Sequence, residues 1–139
     1  MLSDSLSADA ARRSLRPKIS PMPELKNELD FIRNFSPEER DKLSRGLVPR
    51  NMNNKWFIFM EDNWLHFYRD SSGFCIYQLK LIRDGDRYRV TEAYVNRDKN
   101  QYKGSDNAYD TAMLGWLIDD LLLGKRRPPP SRPDVERLP

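Results

Sequence analysis

Little in this sequence can build a disulfide, a zinc centre or a phosphate cradle. There is one cysteine and one histidine among 139 residues. A lone thiol excludes an internal disulfide framework, and Cys75 with His66 falls short of a usual zinc ligand set. Glycine is scarce, at six, and no Walker loop, G-x-G-x-x-G, G-x-S-x-G or zinc-finger spacing is present. No metal, no cofactor and no catalytic residue is therefore expected. No apolar run approaches the ~20 residues of a membrane helix, so no membrane partner is expected. No continuous apolar stretch follows the start, which points away from a secretory signal and towards a cytoplasmic chain.

Proline is missing where paired amides are needed. All ten prolines lie at or before Pro49 or at or after Pro128, as expected if strands and a helix occupy the stretch between. The net charge of +3 is also unevenly placed. Arg12, Arg13, Arg16 and Lys18 face only Asp4 and Asp9 in residues 1–22. Lys125, Arg126, Arg127, Arg132 and Arg137 face only Asp134 and Glu136 in residues 125–139. The stretch between carries fifteen bases against seventeen acids. These patterns predict a disordered leader over 1–21, one domain over 22–124 and a basic, Pro-rich, disordered tail over 125–139. Within the tail, Arg127-Pro128-Pro129-Pro130-Ser131-Arg132-Pro133 matches a basic residue followed by P-x-x-P, a weak signal for an aromatic-lined groove. A solvated tail is the preferred reading.

The domain reads as α+β. Pro23 with Leu25, Leu29 and Ile32 at helical spacing predicts a first short helix. Ser36-Pro37-Glu38-Glu39 carries a capping box and predicts a second, running to about Arg45 with Gly46 as its stop. Leu47-Val48-Pro49-Arg50 matches a protease-tag sequence, but Asn51 follows where a tag has Gly, and the match is read as coincidence. Four strands are then expected, over 55–60, 64–69, 74–83 and 87–96. Turns at 61–63, 70–73 and 84–86 join them, the last with the clearest hairpin signal. A final helix capped by Ser105 or Asp106 should end at Gly124. The sum is a four-stranded antiparallel meander with two N-terminal helices and one C-terminal helix packed on it.

Side chains alternate along strands, so tight turns decide which residues share a face. One face should collect Trp56, Ile58, Met60, Leu65, Phe67, Cys75, Tyr77, Leu79, Leu81, Tyr88, Val90 and Tyr94, and be the core. The other should collect Phe57, Phe59, Trp64, His66, Tyr68, Phe74, Ile76, Gln78, Lys80, Arg87, Arg89, Thr91, Ala93 and Val95. Left open, a face that is half aromatic and half cationic marks an interaction surface. Alternatively, the leading helices cover it with Leu25, Leu29, Ile32 and Phe35. His66 and Cys75 fall on opposite faces, so no Cys–His dyad forms. Asp84/Asp86 and Glu61/Asp62 are explained by turns, and Asp119/Asp120 by a solvated helix side.

The stretches NKWFIFMEDNWLHFY, GFCIYQLKL and AYVNRDKNQY resemble a group of small bacterial single-domain proteins with this strand order, over residues 54–124. The resemblance implies a bacterial origin and an autonomous domain, and carries no activity with it. In general type the chain is also similar to immunity proteins of bacterial toxin systems. The functional expectation is a non-enzymatic protein-binding module, a neutraliser or adaptor whose partner is another protein, such as a toxin. Trp64, His66, Tyr68, Lys80, Arg87 and Arg89 are its expected binding residues. The alternative is a single-stranded nucleic-acid binder, since arginine and aromatics interleave in 64–69 and 87–94.

Overall fold

Ser36 opens the first helix as the sequence dictates. Its hydroxyl accepts from the Glu39 amide at 3.1 Å, and the Glu39 carboxylate accepts from the Ser36 amide at 3.0 Å. That second bond also holds the Glu39 carboxyl below its usual pKa. Helix α1 runs Pro37–Arg45 in a computed structural model that describes residues 19–49 and 55–131. The expected leader lies outside the described residues up to residue 18, and the expected tail from residue 132 onward. Gly46 ends α1 at φ 64, where a Cβ would stand 2.2 Å from the Ile58 carbonyl oxygen. The close approach lets Leu47 exchange two backbone hydrogen bonds with Ile58, at 2.8 and 3.0 Å. The matched LVPR segment is thus part of the fold through Leu47, with Val48 packed against a buried cluster.

Among the described residues the architecture is α+β around one antiparallel sheet, with six strands rather than four. Four of them are the expected meander: β3 Trp56–Glu61, β4 Trp64–Arg69, β5 Cys75–Asp84 and β6 Arg87–Asn96. Asp62 and Asn63 both take positive φ (53° and 70°) and join β3 to β4 in a two-residue turn, the geometry that matches strand twist. Gly85 at φ 65 makes the tight turn from β5 to β6.

The other two strands replace the first expected helix. β1 Lys26–Glu28 and β2 Asn34–Phe35 both lie antiparallel along the outer edge of β6. Between them the Leu29 amide donates to Ala93 and the Arg33 carbonyl accepts from Val90, at 2.8 and 2.9 Å. Ten-residue β6 needs partners for its outward amides, and this segment supplies them. The helical spacing of Leu25, Leu29 and Ile32 was misleading. Only Leu29 is buried, while Leu25 is 64% and Ile32 88% exposed.

Both helices therefore sit on one face of the sheet. Leu43 of α1 and Leu114 and Leu117 of helix α2 (Asn107–Leu117) join Ile58, Leu65, Phe67, Tyr77, Leu79 and Leu81 in the main core. Asp106 caps α2, accepting from the Tyr109 amide at 3.0 Å. A π-helical turn, Ile118–Leu122, continues it. Asp119, expected on a solvated side, is buried there. Its two carboxylate oxygens accept from Arg33 at 2.6 Å and Arg127 at 2.5 Å, and two cations make burial of the charge tolerable. Arg127 in turn offers its carbonyl to the Trp116 indole N–H at 2.7 Å, so this start of the C-terminal segment is tied to the helix.

Two bulges redraw the expected faces. Phe67 pairs with Tyr77 but Tyr68 with Cys75, so Ile76 is an extra residue. Lys80 pairs with Glu92 but Leu81 with Val90, so Thr91 is extra. Each bulge inverts strand parity beyond it. Ile76, Ala93 and Val95 move into the main core, and Cys75 moves out of it to join Phe57, Phe59 and Tyr68 on the second face. Tyr94 likewise belongs to the second face, stacked on Trp64 at 6.2 Å.

Candidate functional site

The second sheet face is divided into a closed and an open half. In the closed half Phe57, Phe59, Tyr68 and Cys75 form a buried cluster, against which Ile19, Met22 and Val48 pack. Phe57 stacks on Tyr68 at 5.8 Å, and Phe59 on Tyr68 at 5.6 Å. The cover is an extended N-terminal segment, pinned where the Ser20 amide donates to Gly73 at 2.9 Å. It is not the pair of helices the sequence suggested. Tyr68, an expected binding residue, is only 5% exposed and belongs to this packing.

The open half lies further along β4, β5 and β6. The register places Trp64 beside Lys80 beside Glu92, and His66 beside Gln78 beside Tyr94. Lys80 Nζ stands 5.9 Å from the Trp64 ring centroid and Lys26 Nζ 4.7 Å from that of Tyr94, close enough for cation–π attraction. The Tyr94 hydroxyl donates to Glu92 at 2.7 Å, which holds its pKa up. Trp64, His66, Lys80 and Tyr94 are all partly exposed, and Ile82 is 40% exposed on the same face. Neither helix covers this area.

Of the six expected binding residues, Trp64, His66 and Lys80 come together here. Arg87 and Arg89 lie on the same face at the far end of the β5–β6 hairpin. There Arg87 donates to Asn34 at 2.6 Å, and Arg89 pairs with Asp84 at 3.3 Å. His66 sits at the boundary, tilted on Phe59 at 5.4 Å, and burial lowers its pKa below 6.5. His66 and Cys75 share a face after all, because of the bulge at Ile76. The Cys75 thiol is directed to the Tyr77 carbonyl at 3.4 Å, and burial pushes its pKa up to about 12.

A second concavity was not foreseen. Under α2, on the core face, a cleft of about 640 Å³ opens between helix and sheet. Trp56 and Tyr77 of the sheet form one wall, and Tyr109, Met113 and Trp116 of α2 the other. Behind its floor lies Asp110, fully buried. Asp110 Oδ1 accepts from the Tyr77 and Tyr102 hydroxyls at 2.7 and 2.5 Å, and Oδ2 from Arg97 at 2.7 Å. Arg97 also donates to Asn107 and to the Gly104 carbonyl. Asn96, buried alongside, donates to the Cys75 carbonyl and to Gln101, both at 2.9 Å. Burial, with Tyr102 and Asp110 alongside, raises the pKa of Tyr77 far above its normal value. With both carboxylate oxygens engaged, this constellation holds shape and does not present a free base.

No protein-family model matches the chain, and neither does any curated protein or solved structure. The chemistry of these two surfaces is therefore the basis for any functional assignment. Among the described residues no three His, Cys, Asp or Glu side chains converge as a metal site requires, and no helix is long and apolar enough to cross a membrane.

Asp110 was legible in the sequence. In Asn107–Leu117 it falls four residues before Leu114 and seven before Leu117, on the apolar stripe of the helix. A carboxylate on such a stripe calls for buried partners. Arg97 and Tyr102, in the polar loop before the helix, gave no comparable signal.

Proposed function

We propose that this chain is a non-catalytic protein-binding module, a neutraliser or adaptor of the immunity-protein type. It docks its partner on the open half of the second sheet face. Trp64 and Tyr94 are the anchors, Lys80 and His66 flank them, and Arg87 and Arg89 extend the surface along the hairpin. Tyr68 acts from below by holding the sheet face rigid.

The observation that carries this reading is the partly exposed ladder of Lys26, Tyr94, Trp64 and Lys80 on a face that neither described helix covers. Aromatic and cationic side chains of this kind concentrate binding energy at protein interfaces. The ladder is also balanced in charge, with Glu28 and Glu92 beside Lys26 and Lys80. A single-stranded nucleic-acid groove instead carries a continuous positive field, so the protein reading is favoured.

Affinity capture from a bacterial lysate tests it, comparing the wild-type chain with Trp64→Ala/Lys80→Ala. Loss of an anchor of this class costs roughly 2 kcal/mol or more, about a 30-fold weakening. At least one protein held by the wild type should therefore be lost from the variant. Identical captured sets would reject the surface, and capture abolished by nuclease would replace the partner class with nucleic acid.

A further inference from the structure

The cleft under α2 is independent of the docking face, since it lies on the opposite side of the sheet. The geometry points to a small-molecule site there, for a planar aromatic ring that carries an anionic group.

Three features define the ligand. First, the walls are aromatic: Trp116 and Tyr109 on one side, Trp56 and Tyr77 on the other. The volume falls within the usual range for small-molecule pockets, and flat rings stack well on such walls. Second, the charge at the cleft has one sign. Among the described residues, Lys55 and Arg69 are the ionisable residues of its lining besides the tyrosines, and no carboxylate joins them. Asp110 lies behind the floor and is neutralised by Arg97. Ser71 and Ser72 of the following turn add hydroxyl donors beside the two cations. An anion there gains two charge-assisted contacts.

Third, the floor is set in advance. The Tyr77 and Tyr102 hydroxyls are both held on Asp110, which fixes these two rings in place. Gln101 accepts from Asn96 through its carbonyl, which leaves its amide N–H groups as donors at the lining. A ring with an acceptor on its edge meets these donors. The Trp116 indole is fixed by its bond to the Arg127 carbonyl, so this wall needs little ordering when a ligand enters.

An anionic aromatic could be a nucleotide, with phosphate, or an aromatic acid, with carboxylate. Titration followed by the indole N–H resonances of ¹⁵N-labelled protein separates these sources. The probes are AMP, UMP and indole-3-acetate, with adenosine and inorganic phosphate as the two incomplete halves. Trp56 and Trp116 should shift with at least one of the three anionic aromatics at about 1 mM, while Trp64, on the other face, stays still. Adenosine and phosphate should each bind at least tenfold more weakly than the best complete probe. Response to the nucleotides or to the acid then names the source.

Lys55→Ala/Arg69→Ala, with an unchanged Trp64 resonance as proof of folding, should weaken binding at least tenfold. Three results would each overturn the site: no Trp56 or Trp116 shift with any anionic aromatic, equal binding of adenosine, or unchanged affinity in the double variant.

Discussion

Replacing Asp110 by alanine perturbs the molecule where its polar chemistry is most deeply buried. The substitution removes one carboxylate and three hydrogen bonds, from Tyr77, Tyr102 and Arg97. It leaves the Arg97 side chain, 10% exposed, as a buried charge without its counter-ion. Breaking a buried ion pair in this way costs about 3–5 kcal/mol. The Tyr77 hydroxyl also loses its acceptor inside the core, worth roughly a further 1 kcal/mol unless Tyr77 and Tyr102 bond each other. The low end of this sum, about 4 kcal/mol, is already a large part of the 5–15 kcal/mol that ordinarily holds a domain of this size. Urea unfolding followed by tryptophan fluorescence reads it directly. With a slope near 2 kcal/mol per molar urea, the midpoint should fall by about 2 M. The companion variant Asp110→Leu/Arg97→Met removes both charges and should lose much less than the two single changes together. A cost for Asp110→Ala below about 1 kcal/mol, or strict additivity in the cycle, would refute the view that this network organises the space under α2.

Other consequences concern the cap, the imidazole and the thiol. Gly46→Ala should cost well over 1 kcal/mol in the same unfolding assay, because it combines positive φ with a Cβ 2.2 Å from the Ile58 carbonyl oxygen. His66, with its folded pKa lowered by burial, remains neutral in the native state while the unfolded chain takes up a proton. Its contribution to stability is therefore whole above pH 6.5 and declines as the pH falls from 6.5 towards the folded pKa. His66→Gln should flatten the unfolding free energy across that window, and an unchanged slope would contradict the assignment. Cys75, with its thiol pushed up to about 12 and its Sγ bonded to the Tyr77 carbonyl, should resist an aromatic disulfide reagent at pH 8 in the native state and react promptly in denaturant.

How the sequence announces this fold differs from element to element. Local chemistry was readable: the capping box at Ser36 and Glu39 specifies α1, Asp62-Asn63 and Gly85 specify their turns, and β3 to β6 fill the proline-free stretch between helices. Residues 23–35 were not readable. Their apolar spacing suits a helix, but the long outer edge of β6 recruits them as strand, a tertiary demand that no local pattern records. The bulges at Ile76 and Thr91 were hidden for a similar reason. Neither position has a glycine or another turn residue to mark it, yet the first moves Cys75 and Ile76 to the opposite faces and the second reverses the residues that follow Thr91. That is why Cys75 and Tyr94 were expected in the core and Ala93 and Val95 outside it. Asp119 was misplaced because its cations are Arg33, 86 residues earlier, and Arg127, beyond the end of the helix. Trp64, His66 and Lys80 still share a face, because beyond the bulge at Ile76 the register returns to the one the expected turn implies, with Trp64 opposite Lys80. The cleft was missed because its walls come from both ends of the domain, with only Asp110 on an apolar stripe to hint at it.

The functional reading depends on the second sheet face being sealed at one end and open at the other. Hydroxyl-radical footprinting measures this side chain by side chain. Trp64 and Tyr94 should be oxidised rapidly and Tyr68 should be protected to the degree of core Tyr77. Oxidation of Tyr68 as fast as Trp64, or protection of Trp64 in the isolated chain, would contradict the division and remove the proposed docking surface.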